Sequence, residues 1–221
     1  QPGVIVQFTS SSGRLQINGT LNAIGTDANK IIFTSGLDTA PAQWDALIVS
    51  GGTAHLAYAD IRYGGSGYSC AHSYYSPVCV QDAGTLTLDH MRFYYNSPLD
   101  ASTLSGVVTA YSANDADVVN LSITNSTFGE NGVSNQAASY YAVRLDGPGV
   151  RLEMDGNTFT NNQINRVLLQ NNPLKTQTSA VLTQQAGLEA YEFYPPYLGQ
   201  HVIPSGNTLT IEPGVKLLSV P

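Results

Sequence analysis

The sequence predicts an all-β fold: a right-handed parallel β-helix (β-solenoid) of about six coils with irregular loop excursions. Three observations predict it. A strand-turn motif recurs with a phenylalanine and an asparagine in fixed places, its apolar residues alternate with period two, and charged residues are too few to clothe amphipathic helices.

The motif reads LTLDHMRFYYN at 86–96, VNLSITNSTFGEN at 119–131 and VRLEMDGNTFTNN at 150–162. Aligned on Phe93, Phe128 and Phe159, each copy carries an asparagine three places later: Asn96, Asn131 and Asn162. The segment AHLAYADIRYGG at 54–65 is the same element with Gly64 in place of the asparagine. Within the copies, Leu86, Leu88, Met91 and Phe93, then Val119, Leu121 and Ile123, then Val150, Leu152 and Met154 mark half-buried strands. Second short strands lie between the motifs: ALIVS at 46–50, PVCVQ at 77–81, GVVTAYS at 106–112, YAVRL at 141–145 and RVLLQ at 166–170. With no sustained helical periodicity, a strand-only repeat buries its apolar face by stacking on its neighbours. The asparagines then form a ladder from coil to coil and the phenylalanines stack inside. An ordinary β-sandwich with Asn-rich turns is the competing architecture. The coil-length recurrence of Phe-x-x-Asn favours the solenoid.

Composition narrows the function. Apolar residues make up 42% of the 221, enough for a continuous core, whereas charged residues are only 11%, against a usual share of about 25%. A net charge of −7, with the nine Lys and Arg scattered singly, argues against nucleic acid as a partner. No apolar run approaches the 18 or so residues of a membrane-spanning helix. Cys70 and Cys79, the only cysteines, bracket CAHSYYSPVC and read as one disulfide closing a loop in an oxidising compartment; the alternative is two free buried thiols. Asn18, Asn120 and Asn125 head Asn-x-Ser/Thr sequons and are candidate glycosylation acceptors.

GRLQINGTLNAIGTDANKIIFTS at 13–35 and SGNTLTIEPGVKL at 205–217, with WDALIVSGG and LAYADIRYGG between them, resemble segments of large secreted bacterial and archaeal surface proteins. Those are right-handed parallel β-helices similar in fold to pectate lyases. The resemblance covers most of the chain and implies the fold and an extracellular or cell-surface location. It does not imply one function, because this fold hosts lyases, hydrolases, adhesins and structural spacers.

The organisation expected is β-helix coils over 1–172, an irregular aromatic and Pro-rich arm or cap over 173–204, and returning strands over 205–221 that begin a next coil or complete a neighbouring subunit. PGVIVQF at 2–8 and PGVKLLS at 213–219 look like one motif, so the chain reads as cut within a coil. Val4, Val6 and Phe8 at one end and Leu209, Ile211, Val215 and Leu217 at the other are therefore the expected junction.

The residues that carry chemistry are dispersed. Asp60, Asp82, Asp89, Asp100, Asp146 and Asp155 stand singly, and Asp115 with Asp117 reads as an Asx-turn in preference to a Ca²⁺ clip. The four histidines form no ligand pattern, so no cofactor or metal site is assigned and no catalytic residue is named. Tyrosine is the enriched surface residue, and Tyr68, Tyr74, Tyr75, Tyr94, Tyr95, Tyr191, Tyr194 and Tyr197 are candidates for contact with protein or sugar. The function expected is an extracellular structural protein: a β-helical subunit or segment stacking head to tail into a filament, stalk or adhesin. Its partners are then copies of itself or adjacent β-helix segments, with glycans a second class. The alternative is a polysaccharide-active lyase or glycoside hydrolase, or a carbohydrate-binding β-helix.

Overall fold

The computed structural model describes residues 1–71, 74–99, 104–133, 139–194 and 201–219. It is a parallel β-solenoid of about six turns with three walls. The first wall stacks Ile5–Phe8, Ile31–Ser35, Ala59–Arg62, Arg92–Tyr94, Thr127–Gly129 and Thr158–Thr160. The second stacks Leu15–Ile17, Leu47–Ser50, Val78–Gln81, Ser105–Tyr111, Tyr140–Asp146, Ile164–Gln170, Ala190–Tyr194 and Leu217–Ser219. The third runs from Thr20–Ile24 through Thr53–Ala57, Thr85–Asp89 and Val119–Thr124 to Val150–Asp155. Pairing between neighbouring coils of every wall is parallel, as it must be when each turn repeats the one before.

Register follows the alternation. Ala54, Leu86, Leu121 and Leu152 are aligned on the third wall, and Ile61, Phe93, Phe128 and Phe159 on the first, all buried. Ring centroids lie 4.6 Å apart for Phe93–Phe128 and 5.0 Å for Phe128–Phe159, the spacing of stacked neighbouring strands. Trp44 sits in the same core against Phe8, with its indole N–H donating to the Arg62 carbonyl at 2.7 Å.

Two interior polar ladders close the corners. At the first, the Gly64 N–H donates to Asn96 Oδ1. The Asn96 carboxamide donates to Asn131 Oδ1 and the Asn131 carboxamide to Asn162 Oδ1, while each Nδ2 also donates to a carbonyl of the preceding coil. At the second, Ser126 accepts from the Met91 N–H, Asn157 from the Ser126 N–H, and Gln185 from the Asn157 N–H. The second ladder is built two residues before the phenylalanine, a position the repeat alignment passes over.

Residues in the left-handed region turn the outside of these corners. Tyr58, His90, Asn125 and Gly156 form one column, with φ from 49° to 65°; Tyr63, Tyr95, Glu130 and Asn161 form another, with φ from 53° to 62°. Bulky residues are uncommon there. Gly147 answers a harder demand: its φ is +100°, and a Cβ would lie 1.8 Å from the Ser112 carbonyl oxygen.

Cys70 and Cys79 are joined, and the disulfide closes a short antiparallel hairpin of Tyr68–Cys70 with Tyr74–Tyr75. This hairpin lies over the outside of the second wall. There Cys70 and Cys79 pack with Ala46 and Ile48, and the Tyr74 ring covers the buried Arg144 guanidinium at 3.3 Å. Arg144 in turn donates to Asp146 and Gln170, so the wall is buried on both faces under the hairpin.

Within 173–204, expected as an irregular arm, two strands return to the solenoid. Ala190–Tyr194 continues the second wall, and Ser179–Leu182 pairs with Thr208–Ile211. The ladder of the third wall stops at Val150–Asp155, and a single backbone bond, from the Leu174 N–H to the Val150 carbonyl at 2.8 Å, is joined by side chains in its place. The Gln177 carboxamide accepts from the Leu152 N–H at 3.0 Å and donates to the Leu152 carbonyl at 3.1 Å, and Thr183 donates to the Met154 carbonyl at 2.6 Å. The alternation fails here because carboxamides, not a strand, fill one step of the wall.

Candidate functional site

The outer face of the first wall gathers the charges that the sequence scatters. Strand register aligns Asp60, Arg92, Thr127 and Thr158 in one outward column, and Arg62, Tyr94, Gly129 and Thr160 in the next. The corner column Tyr63, Tyr95, Glu130 and Asn161 follows directly. Arg62 donates through Nε to Asp38 at 2.7 Å and through Nη1 to the Tyr94 hydroxyl at 2.6 Å. The Tyr94 hydroxyl donates to Asp60 at 3.3 Å, and Arg92 pairs with Asp60 at 3.1 Å while lying 5.1 Å from the Tyr94 ring centre. Tyr95 stacks on Tyr63 at 5.8 Å and meets the Tyr94 ring edge-on at 5.4 Å.

The electrostatics follow from burial and partners. Burial pushes the Asp60 carboxyl above its ordinary value, and Arg92 and Tyr94 only partly offset it. Burial also raises Asp38, but its hydrogen bonds from Arg62 and Thr34 outweigh this and hold it below the usual carboxylate range. The nearby Glu130 carboxylate raises the Tyr95 phenol above its ordinary value.

Below Tyr94 the column is interrupted by Gly129, which has no side chain to project. The gap is a cavity of about 340 Å³ lined by Arg92, Tyr94, Tyr95, Thr127, Glu130 and Asn161, with Phe93, Gly129 and Thr160 completing it. The arrangement gathers two aromatic rings, a guanidinium, a carboxylate, a carboxamide and hydroxyls around one small concavity. It is equipped to bind a small polar group.

No family model, curated protein or solved structure matches the chain.

Of the tyrosines expected at the surface, Tyr94 and Tyr95 come together at this cavity. Tyr75 and Tyr191 are instead buried, Tyr191 donating to the Thr183 carbonyl. They are core residues because the strands carrying them turn those side chains beneath the hairpin and into the solenoid. Tyr74 covers Arg144, Tyr194 lies half-buried at the end of Ala190–Tyr194, and Tyr68 stands in the hairpin backbone. Tyr197, like Asp100 and His72, lies outside the described residues.

Asp117 accepts from the Ala113 and Ala83 N–H groups, and Asp115 pairs with Lys175, so these carboxylates are engaged in turn and coil contacts. Among the described residues no three His, Cys, Asp or Glu side chains converge as metal ligands. Asn18 is exposed; Asn120 faces out from the third wall beside Thr85; Asn125 donates to Asp89 from a left-handed corner.

Val6, Phe8, Leu209 and Val215 pack half-buried against the ends of the core, while Val4, Ile211 and Leu217 are more exposed. Although the two PGV segments look alike in sequence, Ile5–Phe8 belongs to the first wall and Leu217–Ser219 to the second.

Sequence reading missed Arg62, Asp38, Asp60, Arg92, Gly129 and Glu130 as a group. The signal was present in the alignment of RYG, YYN, GEN and TNN after the apolar position, which places Arg62, Tyr94, Gly129 and Thr160 in register on the outside.

Proposed function

We propose that this chain is an extracellular structural protein, a β-helical rod whose coils stack head to tail with copies of itself or with adjacent β-helix segments. One observation carries the reading: the outermost strands at both ends of the solenoid keep a free parallel edge beside apolar side chains that the core covers only in part. Ile5–Phe8, Leu15–Ile17 and Thr20–Ile24 are the outermost strands at one end, and Thr208–Ile211 and Leu217–Ser219 at the other. Val6, Phe8, Leu15 and Leu21 at one end, and Leu209 and Val215 at the other, pack on the core but remain only half-buried. An open parallel edge flanked by apolar side chains accepts a further strand, with backbone bonds setting register and buried apolar area supplying free energy. Each side chain so covered contributes about 1.5–3 kcal/mol against the ordering cost of association. The Cys70–Cys79 disulfide supports an oxidising compartment.

Sedimentation velocity and negative-stain microscopy over a range of concentrations test the reading. Rods lengthening in steps of one solenoid are expected, with Val6→Asp and Ile211→Asp abolishing growth while the far-ultraviolet circular dichroism is unchanged. A particle of constant length at every concentration would remove the case for self-stacking.

A further inference from the structure

We infer that the Gly129 cavity on the first wall is a binding site for one unit of a neutral hexose-based glycan. The inference is independent of axial stacking, since the cavity lies on the flank of the rod.

Three properties of the cavity select this ligand. The first is shape. The outward column reads Arg62, Tyr94, Gly129, Thr160, so one step of the wall lacks a side chain and leaves a compact notch of about 340 Å³. That lies within the size range of small-ligand sites. Its floor is the backbone of Thr127–Gly129, which is paired on both sides with Arg92–Tyr94 and Thr158–Thr160. An extended peptide therefore finds no free strand edge there to join.

The second is chemistry. A hexopyranose presents apolar C–H faces and a rim of hydroxyls, each both donor and acceptor. The exposed Tyr95 ring, stacked on Tyr63 by one face and set at 74° to Tyr94, supplies a surface for the C–H face. Arg92 supplies donors, Glu130 acceptors, and Asn161, Thr127 and Thr160 both. The aromatic pair is held before any ligand arrives: Tyr94 by Arg62 and Asp60, and Tyr95 by stacking on Tyr63. The two rings therefore have little side-chain freedom left to lose on binding.

The third is charge. Both arginines of this face are already paired, Arg92 with Asp60 and Arg62 with Asp38, while Glu130 adds a carboxylate. The local balance is not cationic, which disfavours uronate, sulfate or phosphate and selects an uncharged sugar.

Titration calorimetry with maltohexaose, cellohexaose and mannohexaose, and with hexagalacturonate as the acidic comparator, tests the inference. At least one neutral hexaose is expected to bind, and more tightly than hexagalacturonate. Gly129→Thr should weaken that binding at least tenfold without loss of fold. Its Cβ would meet Thr160 at 3.5 and 3.7 Å, ordinary contact distances, and threonine suits a strand. Glu130→Ala, which removes a rim acceptor without filling the notch, should weaken binding about fivefold or more. Absence of binding by all three neutral hexaoses, preference for hexagalacturonate, or undiminished binding by folded Gly129→Thr or Glu130→Ala would overturn it.

Discussion

Replacing Asn131 by alanine tests whether the asparagine ladder holds the coils together or merely decorates a corner. Asn131 is fully buried. Its Oδ1 accepts from the Asn96 N–H at 3.0 Å and the Asn96 carboxamide at 3.0 Å; its Nδ2 donates to the Phe93 carbonyl at 2.9 Å and to Asn162 Oδ1 at 2.7 Å. Truncation breaks all four, but the loss is uneven. Asn96 Nδ2 keeps the Ile61 carbonyl, and Asn162 Oδ1 keeps the Asn131 N–H at 3.2 Å. The Asn96 N–H and the Phe93 carbonyl lose the bonds that satisfied them toward this side. Two buried orphan groups at about 1–3 kcal/mol each give an expected destabilisation of about 2–6 kcal/mol. For a chain of this size that is a fall in melting temperature of roughly 5–20 °C. Urea denaturation followed by Trp44 fluorescence and by amide exchange measures it. Asn161→Gly, one coil on, exposed and at φ 53°, should stay within about 0.5 kcal/mol of the parent because glycine accepts that backbone. A loss under about 1 kcal/mol for Asn131→Ala, or equal losses for the two variants, would refute the assignment of coil cohesion to the ladder.

Exchanging Cys70 and Cys79 for serine, which frees a loop of sequence separation 9, should lower stability by about 2–3 kcal/mol in urea titrations. Gln177→Ala removes the carboxamide that stands in for a strand beside Leu152; amide exchange at Leu152 should accelerate at least tenfold, with little change at Leu121 inside the continuous ladder. Acid should destabilise the fold through Asp89. Burial raises this carboxyl, but hydrogen bonds from Asn125, His90 and Thr124 outweigh it and leave the folded pKa lowered. A lowered folded pKa means stability that is full above the unfolded value of about 3.9 and lost as pH falls through the folded value. Asp89→Asn should therefore flatten the acid limb of a melting-temperature profile, whereas Asp60→Asn should steepen it, because Asp60 is raised and gains on protonation.

The inside of the solenoid was legible in the sequence and the outside was not. Leu86, Leu121 and Leu152, like the three phenylalanines, advertise themselves because a side-chain period of two and a constant coil register are properties of the chain itself. Asn96, Asn131 and Asn162 were legible for the same reason. The flank depends on partners one coil away: Arg62 meets Asp38 and Tyr94 across sequence separations of 24 and 32 residues, so each looks solitary along the chain. The corners misled differently. Turns are usually sought through glycine and asparagine, yet Tyr58, Tyr63, His90, Tyr95 and Glu130 occupy left-handed positions here. The third wall beyond Asp155 was obscured because Gln177 and Thr183 do with side chains what a strand does with its backbone.

That substitution has a mechanical consequence. Tension along the axis distributes over all three walls wherever each carries a ladder. Between Val150–Asp155 and Ser179–Leu182, however, the continuous ladder is that of Ile164–Gln170 with Ala190–Tyr194, helped by a single bridge from Thr158 to Ala186 and by the carboxamide and hydroxyl contacts. A pull along the axis should therefore load the second wall most heavily at this step. The earlier coils, laddered on every side, should share the same load among three walls.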